Sequence, residues 1–262
     1  MTRKGAEAVG RLWWGVLALW CVACGPPELR RQWQPDEGLE ALLRRGEAEL
    51  DGIEDLSAQA EIRLAWEGER HRASASVLYK RPGLFRLEVR GGPLLSRVFT
   101  AVRQADSLVV LPRKGPGMKG AVGDDLLGRF TGVRLRGYDL DYALLGLVAP
   151  APLDSLRPPQ YPRGDRAVVF LDDGLGRSRR LWIDLYSGLV RREQILGWED
   201  SVLLERHLDE YVEVEGVLLP RRVRIVQGEN TIELRYERFS PNRGLKARHF
   251  TRGFNEDKLQ RL

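Results

Sequence analysis

The sequence contains few of the residues from which catalytic and metal sites are most often built. It includes three histidines, and His71, His207 and His249 stand far apart without metal-ligand spacing. The patterns H-E-x-x-H and G-x-S-x-G and a glycine-rich phosphate loop are absent from the sequence. The acidic pairs Asp124-Asp125 and Asp172-Asp173 fit a helix start or a turn as well as acid/base chemistry. We therefore expect no catalysis, no cofactor and no metal.

Cysteine is nearly absent as well. The two cysteines, Cys21 and Cys24, both lie near the N-terminus, so residues 25–262 contain no thiol. Disulfides, cysteine metal sites and a cysteine nucleophile are thereby excluded from this part of the sequence. A chain of this length can bury a sizeable hydrophobic core without such cross-links.

A large excess of charge of either sign is also missing. The sequence has 42 Lys and Arg against 37 Asp and Glu, a net charge of +5. Its arginine pairs are interleaved with acidic residues, as in Arg191-Arg192-Glu193. This pattern favours solvated strand faces over a nucleic-acid groove, so we expect no nucleic-acid partner. A weak attraction to anionic lipid headgroups stays open.

The N-terminal segment has the pattern of an export signal. Arg3, Lys4 and Arg11 precede the uncharged run from Leu12 to Ala23, which ends at Cys24. That run is about 12 residues long, whereas a membrane-spanning helix needs about 20. The segment resembles the lipobox of bacterial lipoproteins, although Cys21 stands where these proteins usually carry an aliphatic residue.

The lipobox resemblance implies that the chain is cut before Cys24 and held on a membrane by lipid attached to that cysteine. A transmembrane anchor and an ordinary secretory signal are the alternatives. We expect a signal peptide over residues 1–23, a lipidated tether over 24–36 and one domain over 37–262. Asp36 is expected to cap a first helix, in which Leu39, Leu42, Leu43, Leu50 and Ile53 recur at helical spacing.

Alternation of apolar and polar residues dominates the domain and predicts an antiparallel meander. The predicted strands lie near residues 58–66, 73–80, 85–90, 95–102, 107–111, 167–172, 179–184, 189–195, 202–214, 222–226 and 231–239. Helical turns are expected over 124–131, an apolar helix over 139–148, a glycine- and proline-rich loop over 112–123 and a proline-rich linker over 150–162. The fold class is α+β: a single curved antiparallel sheet of about ten or eleven strands, an incomplete half-open barrel with short helices on its concave apolar face. A two-sheet sandwich is the alternative.

Three stretches resemble the LolA/LolB superfamily of bacterial lipoprotein carriers and receptors. Residues 76–89, Ser-Val-Leu-Tyr-Lys-Arg-Pro-Gly-Leu-Phe-Arg-Leu-Glu-Val, are similar to its early strand-turn-strand unit. Residues 186–192 and 211–225 are similar to its late hairpins, and the helix ending at 144–147 stands in the place of its lid. The resemblance implies non-catalytic binding of acyl chains of lipoproteins or other lipids. The lipobox, followed by Gly25, favours a LolB-like protein on the outer membrane facing the periplasm, with a periplasmic carrier protein as a partner.

The inward positions of the predicted strands form the expected lipid-binding cavity. Its wall would comprise Leu64, Trp66, Val77, Tyr79, Phe85, Leu87, Val89, Val109 and Val169. Its lid would comprise Leu140, Leu144 and Leu147. Periodicity alone does not distinguish this cavity from an ordinary core. A lipid-anchored scaffold or sensor that binds a protein, and an esterase or glycosidase, are the other open classes.

Leu94 and Leu95 are candidates for a membrane-insertion loop. They follow Gly91-Gly92-Pro93 between the third and fourth predicted strands, where LolB-like receptors carry an exposed apolar residue. The alternative is that Leu95 begins the fourth strand and faces inward.

Overall fold

The computed structural model describes Gly38, Ala41, Arg44 and residues 52–91, 96–135, 140–147, 160–163, 165–172, 178–252 and 259–261. All of these lie in one compact unit, Arg31–Leu262. The predicted signal peptide, Cys24, the tether, Leu94 and Leu95 lie outside the described residues. Of the predicted first helix, the structure describes Ala41 and Arg44 as helical.

The described residues form one sheet of fourteen strands. The strands are β1 Asp55–Trp66, β2 Glu69–Lys80, β3 Leu84–Gly91, β4 Ser96–Gln104, β5 Ser107–Pro112, β6 Gly117–Ala121, β7 Gln160–Arg163, β8 Arg166–Asp172, β9 Ser178–Asp184, β10 Val190–Leu196, β11 Val202–Val214, β12 Val217–Gln227, β13 Asn230–Pro241 and β14 Leu259–Arg261. The described helices are α1 Gly128–Thr131, α2 Leu140–Leu145 and α3 Ala247–Thr251, with one 3-10 turn at Trp198–Asp200.

The sheet is open. Its strand order is β14-β6-β5-β4-β3-β2-β1-β13-β12-β11-β10-β9-β8-β7, and β14 and β7 are not paired with each other. Neighbouring strands run antiparallel, except that β14 runs parallel to β6. Laid flat, fourteen strands would span on the order of 60 Å. Leu108 on β5 and Val169 on β8 nevertheless belong to one apolar cluster, so the sheet is curved. The predicted single half-barrel is confirmed, and the two-sheet sandwich is wrong.

Three strands account for the difference between the eleven predicted and the fourteen observed. The glycine-rich segment predicted as a loop contains β6, the proline-rich linker contains β7, and the polar tail contains β14. None of the three shows alternation in its sequence. Two of them, β7 and β14, are the edge strands, which pair with one neighbour each. The predicted apolar helix and helical turns are present as α2 and α1.

The two faces of the sheet differ in chemistry. On β1 the inward side chains of Leu56, Ala58, Ala60 and Ile62 are buried, whereas Glu61 faces outward between Arg63 and Arg72. Inward side chains of the other strands join the same apolar cluster, which also includes residues of α2 and of the segment around α1. The core therefore lies between the inner face of the sheet and these helices.

Helix α3 packs on the outer face instead. Arg86 lies between the inward-facing Phe85 and Leu87, so its side chain points outward. Its Nη1 donates hydrogen bonds of 2.8 Å to the carbonyl oxygens of Phe250 and Arg252 at the end of α3. Phe250 is fully buried. This correction to the prediction places one of the three short helices on the convex side.

Candidate functional site

The candidate site is the inner face of the sheet together with the chain that covers it. We call residues 126–135 and 140–147 the lid segment. At its start, Leu126 and Leu127 are buried in the core cluster. The Phe130 ring of α1 stacks on Phe99 of β4, with 5.5 Å between ring centroids. This part of the lid segment therefore covers the β4 side of the inner face.

Gly132, which follows α1, lies directly over Trp66 at the end of β1. Its φ is +69°, and a Cβ added there would overlap the Trp66 indole, so only glycine fits without rearrangement. The Asn230 side chain donates a 2.7 Å hydrogen bond to the Gly132 carbonyl oxygen. The backbone N–H of Arg134 donates a 2.8 Å hydrogen bond to the Gln227 side chain. The lid segment thus crosses from β1 to the β12–β13 turn.

Helix α2 covers the inner face of β11, β12 and β13. Leu140, Leu144 and Leu147, the predicted lid residues, are 0–3% exposed and belong to the core cluster. The helix ends at Leu145, and Gly146, which follows it, has a φ of +71°. A Cβ at this position would overlap the Pro220 ring and lie 2.9 Å from Val223 Cγ2. Glycine therefore allows the end of α2 to approach β12 closely.

Side chains from the sheet hold α2 by its backbone carbonyls. The Tyr236 hydroxyl donates a 2.5 Å hydrogen bond to the Leu144 carbonyl oxygen. Nη1 of Arg206 donates to the carbonyl oxygens of Tyr142 and Leu147, the latter at 2.8 Å. Tyr236 and Arg206 are both 2% exposed, and burial raises the pKa of Tyr236, so its hydroxyl stays protonated. Three carbonyls of α2 and its C-terminal turn thus have donors on β11 and β13.

Arg206 belongs to a buried charge triad with Glu193 and Arg179. Nε of Arg179 donates a 2.7 Å hydrogen bond to one Glu193 oxygen, and Nη2 of Arg206 donates to the other. All three side chains are at most 5% exposed. Burial alone raises the pKa of Glu193, but Arg179 and Arg206 outweigh it and lower the pKa to about 2. The triad therefore carries one net positive charge beneath α2.

Most of the predicted wall residues face this interior. Val77, Tyr79, Phe85, Leu87, Val89 and Val169 are 0–4% exposed and lie in one cluster with the lid leucines. Leu64 and Trp66 are partly exposed at the end of β1. A cavity as wide as an acyl chain would leave its walls with measurable accessible surface. Among the described residues, the lid and most wall side chains therefore pack against each other, and a ligand placed between them would have to displace the lid segment.

Val109 is the exception among the predicted wall residues. Its neighbours Leu108 and Val110 join the inner cluster, so Val109 points to the outer face, where it pairs with Val102. Val102 and Val109 are 3% and 5% exposed, because the outer face is covered here as well. Val109 is therefore removed from the predicted wall.

Several inward residues were not predicted. Leu181, Leu208, Val223, Ile225 and Leu234 are fully buried in the same cluster. The alternation in their strands was sufficient to find them. Glu193 and Arg206 were missed because charged residues on strands normally face water. The run Arg191-Arg192-Glu193-Gln194 is polar at every position, so periodicity carries no signal for the inward one.

Other kinds of site receive no support from the described residues. Among them, no group of three or more His, Cys, Asp or Glu side chains is placed to hold a metal ion. No helix in the described part of the chain combines the length and apolarity needed to cross a membrane.

Comparison with solved structures identifies the fold. A DUF1329 family protein from Desulfovibrio piger is 11% identical, covers 85% of this chain and 98% of its own, and superposes with a TM-score of 0.62. A putative outer membrane lipoprotein-sorting protein domain from Vibrio parahaemolyticus is 14% identical, with coverages of 82% and 96% and a TM-score of 0.62. A LolA superfamily protein from Nitrosomonas europaea is 14% identical, with coverages of 82% and 98% and a TM-score of 0.55.

The chain has a LolA/LolB-like fold. At identities of 11–14% the similarity shows the fold alone. No protein-family model matches the sequence, and no curated protein matches it either. The predicted LolA/LolB-like architecture is thus confirmed, while the LolB-like assignment stays a prediction.

Proposed function

We propose that this chain is a non-catalytic envelope lipoprotein that binds acyl chains between the inner face of the sheet and the lid segment. Its cargo would be the acyl chains of lipoproteins or other lipids, received from a periplasmic carrier protein. Lipid on Cys24 would hold the chain on the outer membrane, facing the periplasm. Leu94 and Leu95 would enter the membrane when cargo is delivered.

One observation carries the proposal: the inner face, apolar apart from the buried charge triad, is covered by a short helix that is not part of the sheet. The six residues of α2 present Leu140 and Leu144 to the sheet, with Leu147 just beyond. Each fully buried leucine contributes about 2 kcal/mol. A bound acyl chain of about 16 carbons would contribute about 0.8 kcal/mol per methylene, on the order of 10 kcal/mol in total. An acyl chain can therefore replace the contacts of the lid leucines.

The test is mass spectrometry of lipids that co-purify with the chain from Arg31 onward, which spans the compact unit. Leu87→Gln places an amide on the inner face, with an expected loss of bound lipid and a destabilisation of about 2–4 kcal/mol. Leu78→Gln is the matched control, because Leu78 is one residue from Val77 and points to the outer face. Leu87→Met conserves volume and should keep the lipid.

The expected result is lipid on the wild type, Leu78→Gln and Leu87→Met, and none on folded Leu87→Gln. Circular dichroism of each variant separates loss of binding from loss of folding. Equal lipid on folded Leu87→Gln would contradict binding at the inner face. Absence of lipid from all four proteins would favour the second candidate.

The second candidate is a lipid-anchored scaffold or sensor that binds a protein partner. The closed interior favours it, since most of the predicted wall is 0–5% exposed and a filled core needs no ligand. In that case added fatty acid would not change hydrogen exchange in residues 140–147. Faster exchange there on adding fatty acid would support the acyl-chain proposal instead.

A further inference from the structure

The tip of the β10–β11 hairpin exposes an unusual amount of apolar surface. Trp198 is 86% exposed, and Val202 and Leu203 on the same hairpin are 50% and 46% exposed. These are three of the five large hydrophobic side chains that are exposed among the described residues. Exposure of an indole to water costs free energy. Large apolar side chains exposed together at a hairpin tip are typical of a binding surface.

Two non-glycine residues at this tip have positive φ values, which glycine adopts more easily. Glu199 and Asp200 have φ values of 51° and 56°, in the left-handed region that non-glycine residues adopt with strain. The register with β10 shifts here, because Leu196 pairs with Val202 and Ile195 with Leu204. Leu203 is the extra residue of this bulge. A strained turn and a bulge together present Trp198, Val202 and Leu203 to solvent.

The tip lies where strands end, on one rim of the half-barrel, and not on an edge strand. Strands β1, β3, β5, β10 and β12 all end at this rim, which we call the Trp66 edge after the last residue of β1. The described residues that flank Leu94 and Leu95, Gly91 and Ser96, belong to the same edge. Arg113 and Lys114, just after β5, are exposed here. Tyr186, 60% exposed in the β9–β10 turn, lies at the opposite edge.

We propose that Trp198, Val202 and Leu203 contact a phospholipid bilayer at the level of its headgroups and turn the Trp66 edge towards the membrane. Tryptophan prefers the membrane interface, where its ring is partly desolvated and its N–H stays hydrogen-bonded. The carboxylates of Glu199 and Asp200 prevent deeper entry, because an ionised group is costly in hydrocarbon. Arg113 and Lys114 complement anionic headgroups at the same edge.

This inference rests on the proposed membrane attachment through Cys24 and is independent of acyl-chain binding. It adds a second contact, on a different hairpin from Leu94 and Leu95. A lipid on Cys24 does not by itself determine which side of the domain faces the bilayer. A contact at the Trp66 edge would fix the orientation, so that the partly exposed Leu64 and Trp66 face the bilayer.

The experiment uses the full lipidated chain in vesicles of phosphatidylethanolamine and phosphatidylglycerol. The background variant Cys21→Leu leaves Cys24 as the one native cysteine, whose sulfur the lipid blocks. Trp198→Cys then carries an environment-sensitive fluorophore, and Tyr186→Cys carries the same fluorophore at the opposite edge. Emission wavelength and quenching by headgroup-labelled and acyl-chain-labelled phospholipids report the depth of each probe.

The expected result is a blue-shifted probe at position 198 that headgroup labels quench, and an unshifted, unquenched probe at position 186. Equal spectra at the two positions would overturn the proposal, as would quenching at 198 by acyl-chain labels near the bilayer centre. A shifted probe at 198 that vesicles do not quench indicates protein contact and also overturns it. The mass of the purified chain separately tests lipidation. If Cys24 carries no lipid, Cys24→Ala is added to remove its free thiol, and vesicles added to that chain decide the probe comparison.

Discussion

At the residue scale, Arg179, Glu193 and Arg206 form a triad of charges that is buried in the interior. Two guanidinium groups lie within hydrogen-bonding distance of one carboxylate, and all three side chains are shielded from water. Such a group tolerates burial only while each charge keeps its partner. Arg206 also donates to two carbonyls of the lid segment. The ion pair with Glu193 therefore helps to hold the side chain that fixes the position of the lid segment.

Glu193→Gln is expected to destabilise the folded chain by about 3–5 kcal/mol at neutral pH, because it removes the buried anion to which both arginines donate. Chemical denaturation measures this change. Glu61→Gln is the matched control: Glu61 also pairs with two arginines, but on the solvated outer face, where Arg63 and Arg72 are 53% and 71% exposed. It should cost about 1 kcal/mol or less. Equal losses in the two variants would contradict the importance of burial.

The lowered pKa of Glu193 predicts that the stability of the folded chain depends on pH. The pKa of this carboxylate falls from 4.5 to about 2 on folding, so the ionised form stabilises the native state. That contribution is complete above pH 4.5 and is lost as the pH falls towards about 2. The stability difference between wild type and Glu193→Gln should therefore shrink over this interval. A difference that stays constant from pH 5 to pH 2 would show that folding does not lower the pKa of Glu193.

At the element scale, α2 can leave the inner face without breaking strand pairing. It lies on the sheet without pairing with a strand, and side-chain donors from β11 and β13 hold its carbonyls. Local opening is expected where an element has few partners of its own. The strands beneath it are each paired on both sides, so the sheet can stay intact when the helix lifts.

Tyr236→Phe should loosen the lid segment while leaving the sheet unchanged. It removes the hydroxyl that donates to the Leu144 carbonyl, a loss of about 1 kcal/mol, and keeps the ring. Hydrogen exchange in residues 140–147 should become faster, and uptake of a fluorescent fatty acid should rise. Tyr186→Phe, at an exposed turn, is the control that should change neither rate. Unchanged exchange in Tyr236→Phe would mean that packing alone holds α2.

Leu94 lies in the connection between β3 and β4, and its proposed insertion into the membrane can be tested by substitution. Leu94→Glu should preserve the melting temperature and lipid binding but block transfer of cargo to liposomes, because a charged tip is costly to insert into a bilayer. Transfer is measured with labelled lipid and acceptor vesicles. Tyr186→Glu, in the exposed β9–β10 turn at the opposite edge, controls for a general effect of added negative charge. Normal transfer by Leu94→Glu would end the membrane-insertion proposal.

At the scale of the whole molecule, the proposed attachment to the membrane would depend on Cys24, which lies outside the described part of the chain. Cys24→Ala should yield an uncleaved or mislocalised precursor, since the modification needs the cysteine sulfur. Cell fractionation and the mass of the purified chain measure this outcome. Cys21→Leu, which restores an aliphatic residue to the signal, should be processed normally. A processed Cys24→Ala chain that stays fully with the membrane would refute the lipid anchor.

The amount of structure that the sequence predicts differs between the parts of the molecule. Eleven of the fourteen strands follow from alternation or turn residues, as on β2, where Val77 and Tyr79 are buried and Ser76 and Lys80 are not. The edge strand β14 and its neighbour β6 form by pairing with each other and with β5, and the edge strand β7 forms on β8. Their own residues carry no pattern, so a prediction from local sequence misses them.

The candidate site shows the same division. Periodicity predicts the inward direction of most wall residues and of the three lid leucines. Val109 lies in the uninterrupted apolar run from Leu108 to Leu111, where no alternation shows which side chains point inward. Pairing with Val102 decides its direction. The triad was hidden because its members look like solvated residues until the register sets Arg206 opposite Glu193.

By itself the sequence determined eleven of the strands, the apolar sets on alternating positions and the absence of cysteine from residues 25–262, because these depend on residue type and local spacing. Only the tertiary structure decided that the interior is closed by the lid segment, that Arg206 and Tyr236 hold α2, and that Trp198 shares an edge with the residues flanking Leu94. These features depend on contacts between residues far apart in the chain. No local pattern records such contacts, since they arise only when the strands have paired in register and the sheet has curved.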